Sequence, residues 1–261
     1  MKSIDLPSRG LITDTHRRQF DEQGFFVLER VIPDDYLAML REECGHLRQQ
    51  LDDLADAAGR PHTTKYFFSV WDQAPGVNPL KDAARERIRD FVFSDLMAGI
   101  TQALLGDNVY LFYEQFVVKA AEKGGTFAWH QDSAYVPFAH RPYLTCWCTL
   151  DDVTEENSTV YMLPYDRAGT REVVPHTQLE TDWDLVGYRG DDPGVPVICP
   201  AGSIALFSSV CLHRSGANTT PHPRRIYLPQ YSAEPITNPN GRLHNIAEPV
   251  VQEGRVVAAR T

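Results

Sequence analysis

The chain has 261 residues, of which 43% are hydrophobic and 23% charged, and its formal net charge is -10. This composition is ordinary for a soluble globular protein, and the length allows one large domain with a full core. The acidic surface disfavours nucleic acid and anionic membranes as partners, because both carry negative charge, but a local basic pocket for a small anion stays open.

The lack of a secretory signal and the cysteine usage predict a cytoplasmic protein. Residues 1–7 lack the apolar run of a secretory signal, and no uncharged apolar stretch is long enough to cross a bilayer. The cysteines at positions 44, 146, 148, 199 and 211 are odd in number and scattered, without zinc-knuckle spacing. Buried free thiols in a reducing cytosol are therefore favoured over a disulfide framework.

The first part of the chain, about residues 1–106, is predicted to be mainly helical. A short strand is expected at Phe25–Leu28. After Pro33, apolar residues recur at intervals of three and four, which predicts one stripe of an amphipathic helix: Leu37, Leu40, Cys44, Leu47, Leu51 and Leu54. A second helix is predicted from Ser94, a suitable N-cap, to Gly106, a suitable end.

From Val109 the pattern changes to short β runs separated by turn residues. The predicted runs are Val109–Lys119, Phe127–Tyr135, Tyr143–Leu150, Val160–Leu163, Val195–Cys199, Ser203–Phe207 and Arg225–Ser232. Helices followed by many short strands predict an α+β fold with a jelly-roll core, the cupin-like double-stranded β-helix. We expect a single domain over 1–261, with a helical part to about 106, a core at about 107–235 and a C-terminal extension at 236–261.

His130 and Asp132 lie two residues apart in a predicted strand, where alternation places both side chains on one face. A pair of this kind, taken alone, is more often a salt bridge or a surface pair. His213 ends a β run that starts at Ser203 and precedes a turn of small residues, so we expect it to point into the barrel. The three side chains together predict a two-histidine, one-carboxylate iron(II) site with open coordination positions.

Arg224 follows His213 by eleven residues, and Ser215 follows it by two. A guanidinium and a hydroxyl suit the distal carboxylate of 2-oxoglutarate, which an arginine can grip through two parallel hydrogen bonds. The alternative for Arg224 is a surface charge in a proline-rich segment. Arg225 is its rival, but neighbours on a strand point to opposite faces, and the spacing favours Arg224.

In this combination the chain resembles the phytanoyl-CoA dioxygenase family of Fe(II)- and 2-oxoglutarate-dependent oxygenases, over about residues 19 to 232. The matching segments are 19–28, 116–119, 130–132, Trp147, 150–157 and the set His213, Ser215, Gly216, Asn218 and Arg224. The resemblance implies iron ligands at His130, Asp132 and His213. It implies cosubstrate contacts from Arg224, Ser215, Lys119, Trp147, Gln131 and Gln115.

Two departures from the family pattern concern loops rather than ligand positions. Ser158 stands where the family usually has a glycine, and Leu163-Pro164-Tyr165-Asp166-Arg167 stands in place of a Pro-Gly-Ser-His segment. Asp132 is itself a carboxylate, whereas related halogenases carry a small residue there. Halogenation is therefore disfavoured.

The resemblance implies an enzyme that consumes O2 and 2-oxoglutarate and releases succinate and CO2. It would hydroxylate, desaturate or cyclise a small-molecule metabolite at an unactivated C–H bond, by analogy in secondary metabolism. The alternatives are a zinc-dependent hydrolase or isomerase on a cupin-like barrel, and a non-catalytic small-molecule binding module.

Several residues near the predicted iron strands have two possible roles. The aromatic side chains that flank these strands contact either the substrate or only the core: Tyr113, Phe127, Tyr135 and Phe138. The loop 187–194 has the glycines and charges of a mobile lid, but an inert surface connection has the same composition.

Overall fold

The computed structural model describes residues 10–122, 124–179 and 184–257. The predicted absence of a signal at residues 1–7 therefore lies outside the described residues. The helices are α1 (Asp14–Gln23), α2 (Asp34–Ala57), α3 (Pro79–Val92), α4 (Asp95–Leu105) and the short α5 (Tyr165–Ala168), with a 3-10 turn at Asp132–Tyr135. Ser94 caps α4 by accepting a hydrogen bond from the Met97 amide, and Gly106 follows its end, as predicted.

The strands are β1 (Phe25–Leu28), β2 (Lys65–Phe68), β3 (Val109–Lys119), β4 (Phe127–His130), β5 (Leu144–Thr149), β6 (Val160–Leu163), β7 (Thr177–Gln178), β8 (Leu185–Val186), β9 (Val195–Pro196), β10 (Ile204–Ser208), β11 (Leu212–Ser215), β12 (Arg224–Ser232), β13 (Glu248–Gln252) and β14 (Arg255–Val256). The larger sheet has the order β1-β10-β5-β12-β3-β13-β14, with β2 also paired to β3. The smaller sheet has the order β4-β11-β6-β9. All these pairings are antiparallel, so the predicted α+β jelly roll is confirmed.

Alternation along the larger sheet separates two apolar environments. One face packs against α2, α3 and α4 and contains fully buried side chains such as Cys146, Cys148, Leu206 and Tyr231. The other face looks toward the smaller sheet and carries Trp147, Phe207 and Leu228. Because the helices cover the first face, the space between the two sheets is what remains for a ligand.

Two strand predictions were wrong in their extent. The run from Ser203 to His213 is not one strand, because β10 ends at Ser208 and the chain crosses to the smaller sheet before β11 begins at Leu212. His213 is thus the second residue of a strand rather than its exit. The predicted run Phe127–Tyr135 ends already at His130, and the 3-10 turn begins two residues later, at Asp132.

The cysteine prediction is confirmed, since Cys44, Cys146, Cys148, Cys199 and Cys211 are all buried and unpaired. Among the described helices, we find none with the length and apolar character that crossing a membrane requires.

Candidate metal centre and cosubstrate pocket

A cavity of about 640 Å³ lies between the two sheets. The three side chains predicted as iron ligands meet on its wall, with one ligand atom of each within 4.8 Å of the others. His130 on β4 and His213 on β11 are directly opposite each other across the strand pair. Asp132 Oδ1 lies 3.9 Å from His130 Nε2 and 3.5 Å from His213 Nε2. The convergence of two imidazoles and one carboxylate is the donor set of a non-haem iron(II) site.

Backbone carbonyls orient both imidazole rings. His130 Nδ1 donates to the Ala128 carbonyl at 2.8 Å, and His213 Nδ1 donates to the Cys211 carbonyl at 3.0 Å. This leaves each Nε2 with a lone pair directed at the common point. Burial, together with the nearby His213, lowers the pKa of His130 to about 4, so the imidazole is neutral and able to bind a metal at neutral pH.

The way in which Asp132 faces His130 differs from the prediction. Alternation along a strand does not bring them together, because Asp132 opens the 3-10 turn after β4 has ended. The turn instead folds the carboxylate back toward the imidazole. Asp132 Oδ2 accepts hydrogen bonds from Thr145 Oγ1 at 2.6 Å and from Gln230 Nε2 at 3.0 Å, which leaves Oδ1 for a metal.

Sequence reasoning missed Thr145 and Gln230. A signal was present for both, because Gln230 shares a face of β12 with Arg224, and Thr145 shares a face of β5 with Trp147. No sequence motif, however, indicates that these two strands are neighbours in the sheet. The pairing of Gln230 with Thr145 in the observed register is what joins them to the carboxylate.

Arg224 lies in the same cavity and is 2% exposed. Its Nη2 donates to the Ser158 carbonyl at 3.0 Å, and its guanidinium lies 5.4 Å from the centre of the Trp147 ring. The Nε and Nη1 atoms, both buried, have no hydrogen-bond partner among the described residues. Burial lowers the pKa of Arg224 to about 10, so the group stays charged. A buried guanidinium with unpartnered N–H groups fits a carboxylate ligand.

Arg225 points to the other face of β12, as predicted. Its side chain binds Asp151, with Nε at 3.0 Å from Oδ2 and Nη2 at 2.5 Å from Oδ1. The choice between the two arginines therefore follows from strand alternation, and only Arg224 is available to a ligand in the cavity.

Lys119 and Ser215 lie next to Arg224. Lys119 is fully buried, and its Nζ donates to Ser215 Oγ at 2.7 Å and to the Gly216 carbonyl at 2.5 Å. Ser215, Trp147 and Gln115 line the cavity, whereas Lys119 lies behind Ser215 and does not line it. Gln115 is opposite Leu228, four residues along β12 from Arg224. Their roles toward 2-oxoglutarate stay predictions.

The prediction for Gln131 is corrected by its hydrogen bonds. Its Nε2 donates to the carbonyls of Glu172 at 2.9 Å and Val210 at 2.6 Å, and its Oε1 accepts from the Val174 amide at 2.8 Å. Both amide N–H groups are thus used by the backbone, and the side chain does not line the cavity. Gln131 holds the segment around Val174 against the metal-site turn.

Three of the predicted substrate residues lie on the cavity wall, namely Tyr113, Phe127 and Tyr135. Phe138 does not, because it packs against Phe112 and Tyr143 in a separate apolar cluster and meets the His244 ring edge-on at 5.2 Å. A residue from a predicted strand would alternate toward the cavity, but Phe138 follows the 3-10 turn, so the alternation rule does not apply to it.

The cavity wall also contains residues that sequence analysis did not single out. Among those nearest the predicted substrate side are Lys65, Phe67, Asp184, His244 and Asn245. The last two come from the C-terminal extension, for which the sequence carries no motif. Phe67 belongs to β2, whose role the sequence left undefined, and β2 brings it to the cavity by pairing with β3.

The loop 187–194 packs on the Trp129 side of β4, opposite to His130. The Gly187 amide donates to the Trp129 carbonyl at 2.8 Å, and the Tyr188 ring meets the Trp129 ring edge-on at 5.8 Å. Gly194 has φ +76° and lies so close to Trp129 that a Cβ would stand 2.6 Å from its ring. No residue of this loop lines the cavity, so the surface-connection alternative is favoured over a lid.

The two departures from the family pattern differ in their distance from the site. Ser158 has φ +78°, the left-handed conformation that favours glycine, and its Oγ donates to the Gly216 carbonyl at 2.5 Å. Tyr165, in the second departure, packs instead against Gly24 at the start of β1. Only the first departure touches the cosubstrate pocket.

A family model described as "Phytanoyl-CoA dioxygenase (PhyH)" matches residues 20–226 of the chain. Ectoine dioxygenase from Sphingopyxis alaskensis is 25% identical over 244 residues, covering 82% of this chain and 74% of that protein. 2-Aminoethylphosphonate dioxygenase from an uncultured bacterium is 27% identical over 232 residues, covering 84% of this chain and 81% of that protein.

Among solved structures, EvdO2 from Micromonospora carbonacea var. aurantiaca, in complex with 2-oxoglutarate, superposes with a TM-score of 0.63 and 24% identity. The match covers 88% of this chain and 95% of that one. At this identity the likeness shows a shared fold.

Proposed function

The chain belongs to the phytanoyl-CoA dioxygenase family, and from that premise we propose that it is an Fe(II)- and 2-oxoglutarate-dependent dioxygenase that oxidises a C–H bond of a small molecule. The observation that carries the proposal is the buried guanidinium of Arg224, whose unpartnered N–H groups lie in the same cavity as His130, Asp132 and His213. A zinc hydrolase or isomerase needs the same three ligands but has no use for that arginine. A module that only binds a small molecule needs neither.

Each residue of the site has a separate task in this proposal. His130, Asp132 and His213 would hold the metal, and Arg224 would hold the far carboxylate of 2-oxoglutarate. Trp147 closes the pocket beside the guanidinium and keeps water from competing for its N–H groups. Bound iron(II), with 2-oxoglutarate and O2, supplies the oxidant for the C–H bond, with succinate and CO2 as coproducts.

The substrate side of the cavity favours an uncharged compound with ring or alkyl groups. Phe67, Phe127, His130 and Tyr135 form a continuous row, with ring centroids 5.6, 6.4 and 5.9 Å apart in that order. The charged side chains near this row, Lys65 and Asp184, pair with each other at 3.6 Å. Arg214, which also lines the cavity, donates to the Pro193 carbonyl and lies over the Tyr161 ring. The described wall on the substrate side therefore offers mainly apolar contact.

A place in secondary metabolism is part of the same proposal. The relatives named above are, by their names, dioxygenases of small molecules, and a wall built for apolar contact suits a tailoring hydroxylation, desaturation or cyclisation.

The test is an anaerobic titration of the metal-free protein with Fe(II) and then 2-oxoglutarate, followed by visible absorption. We expect a weak charge-transfer band that needs both additions and is lost in His213→Ala. His62→Ala is the control, since this half-exposed histidine lies outside the cavity and should keep the band. Metal binding without a band would remove 2-oxoglutarate from the site, and the zinc hydrolase would then be the better reading.

A further inference from the structure

Two buried cations lie side by side at the cosubstrate pocket: Arg224 lines the cavity, and Lys119 lies directly behind Ser215, which lines it. Lys119 on β3 and Arg224 on β12 are direct cross-strand partners, and their exposed fractions are 0% and 2%. The acceptors of Lys119 Nζ are a hydroxyl and a carbonyl, both neutral, and the acceptor of Arg224 Nη2 is also a carbonyl. Neither cation has a neutralising partner among these contacts.

Among the described residues, the charges that act on Lys119 are two cations, Arg224 and Lys65, and one anion, Asp184. Lys65, on the adjacent strand β2, adds a further positive charge, and Asp184 forms its ion pair with Lys65. Asp151 is bound by Arg225 on the opposite face of β12. The two cations outweigh Asp184 at Lys119 Nζ.

Two like charges buried together are unstable unless one of them becomes neutral. An arginine keeps its proton under almost all conditions, whereas a lysine can lose one. Burial, with Arg224 and Lys65, lowers the pKa of Lys119 from 10.5 to about 6. Before a ligand arrives, the pair thus consists of one cation, Arg224, and one neutral amine, Lys119, at neutral pH.

We propose that binding of 2-oxoglutarate is coupled to uptake of one proton by Lys119, which becomes a second cationic anchor for the far carboxylate only once that carboxylate is present. The inference rests on the proposed function. The proton comes from solvent and forms a new N–H bond on the Nζ lone pair, and no other bond changes. The pocket gains one positive charge as the carboxylate brings one negative charge, which keeps the buried site balanced.

The coupling makes cosubstrate affinity depend on pH in a defined direction. Because the complex holds a proton that the free protein lacks, raising the pH weakens binding. Above the pKa of the free pocket, Kd for 2-oxoglutarate should rise by up to about tenfold per pH unit. The uptake at about pH 7.5 should be close to one proton per bound 2-oxoglutarate.

Isothermal titration calorimetry measures this proton directly. Protein loaded with Fe(II) under anaerobic conditions is titrated with 2-oxoglutarate in PIPES, HEPES and Tris, which differ in ionisation enthalpy. Loading the metal first keeps the histidine ligands deprotonated throughout. The observed binding enthalpy should vary linearly with the ionisation enthalpy of the buffer, with a slope that corresponds to about one proton per bound 2-oxoglutarate.

Three variants separate Lys119 from its surroundings. Lys119→Arg keeps a cation that cannot titrate, so it should bind 2-oxoglutarate with no buffer dependence. Lys119→Met should bind at least tenfold more weakly, also without buffer dependence. Lys81→Met changes a lysine outside the cavity, paired with Asp72, and should keep the uptake.

Two results would overturn the inference alone: buffer-independent binding in the wild type, or uptake that persists in Lys119→Arg and Lys119→Met. Failure of the Fe(II)-loaded wild type to bind 2-oxoglutarate would overturn the proposed function, and this inference with it.

Discussion

Asp132 divides its carboxylate between two tasks. Oδ1 faces both imidazole Nε2 atoms, whereas Oδ2 accepts from Thr145 and Gln230. Partners of this kind fix a ligating carboxylate in one orientation, and their loss commonly lowers metal affinity by about 10- to 100-fold. The rigidity of the metal centre should therefore depend on residues that do not touch the metal.

Thr145→Val tests this dependence because it removes the hydroxyl and keeps the shape. We expect Fe(II) affinity to fall by about 10-fold or more, measured by competition with a chromogenic chelator. Thr149→Val is the matched control, since Thr149 is equally buried on β5 but its hydroxyl donates to the carbonyls of Pro200 and Ser203 and not to Asp132. Equal affinities in the two variants would show that the hydrogen bond to Asp132 does not matter.

Ser158 should reverse the usual ranking of alanine and glycine. Both substitutions lose the hydrogen bond to the Gly216 carbonyl, but only glycine relieves the left-handed backbone at φ +78°. We expect Ser158→Gly to be more stable than Ser158→Ala by about 0.5 to 1 kcal/mol in urea unfolding. Ser203 is the control, since it is also buried but has no positive φ, and there the alanine variant should be more stable than the glycine variant. If alanine were also the more stable substitution at Ser158, the strain at that position would be refuted.

Alternation along β12 directs Arg224 into the cavity and Arg225 to the opposite face, and substitutions of the two residues can test this assignment. Arg224→Met should weaken 2-oxoglutarate binding by about 100-fold or more, because a buried charged contact to the carboxylate is lost. Arg225→Met should leave that binding within about threefold and lower stability, since it breaks the pair with Asp151. Calorimetry and urea unfolding measure the two effects, and loss of 2-oxoglutarate binding in Arg225→Met would contradict the assignment.

Prediction from sequence succeeded where a single element carries its own pattern. The bounds of β3 and β6 agree with their predicted runs to the residue, and β12 begins one residue early, at Arg224. Alternation along β12 was enough to choose Arg224 over Arg225. These features depend only on period-two burial, which a local run of residues expresses directly.

Prediction failed where the chain changes element inside an apolar run. Residues 204–212 are almost uniformly buried, so hydrophobicity cannot show that they cross from one sheet to the other. The hydrogen bonds of Gln131, Thr145 and Gln230 depend in the same way on contacts between distant segments. Such contacts are set by sheet order, which no local pattern encodes.

At the scale of the whole molecule, the site exists because two sheets face each other. Arg224 and Lys119 come from the larger sheet, His130 and His213 from the smaller one, and the cavity lies between them. The helices support only the outer face of the larger sheet. Any charge buried in the cavity is thus a charge placed between the two layers of the fold, and its protonation is linked to global unfolding.

Lys119 should dominate the pH dependence of stability between about pH 7 and 8 in protein free of metal and cosubstrate. Its pKa is about 6 in the folded protein against 10.5 in an unfolded chain, so the unfolded state binds the extra proton throughout this window. Stability therefore rises with pH, by up to about 1.4 kcal/mol per unit. The lowered pKa values of His130 and His176 act mainly below this window, and the raised pKa values of the five buried cysteines act mainly above it.

Urea unfolding at three pH values across that window measures the slope, which should nearly vanish in Lys119→Met. Relative to the wild type, Lys119→Met should gain the most stability at the acidic end of the window, where burying Lys119 is least favourable. With Fe(II) and 2-oxoglutarate bound, the wild type should also lose the slope, because Lys119 then carries its proton in the folded state as it does in the unfolded one. A slope that is unchanged by the substitution would place the titrating group elsewhere.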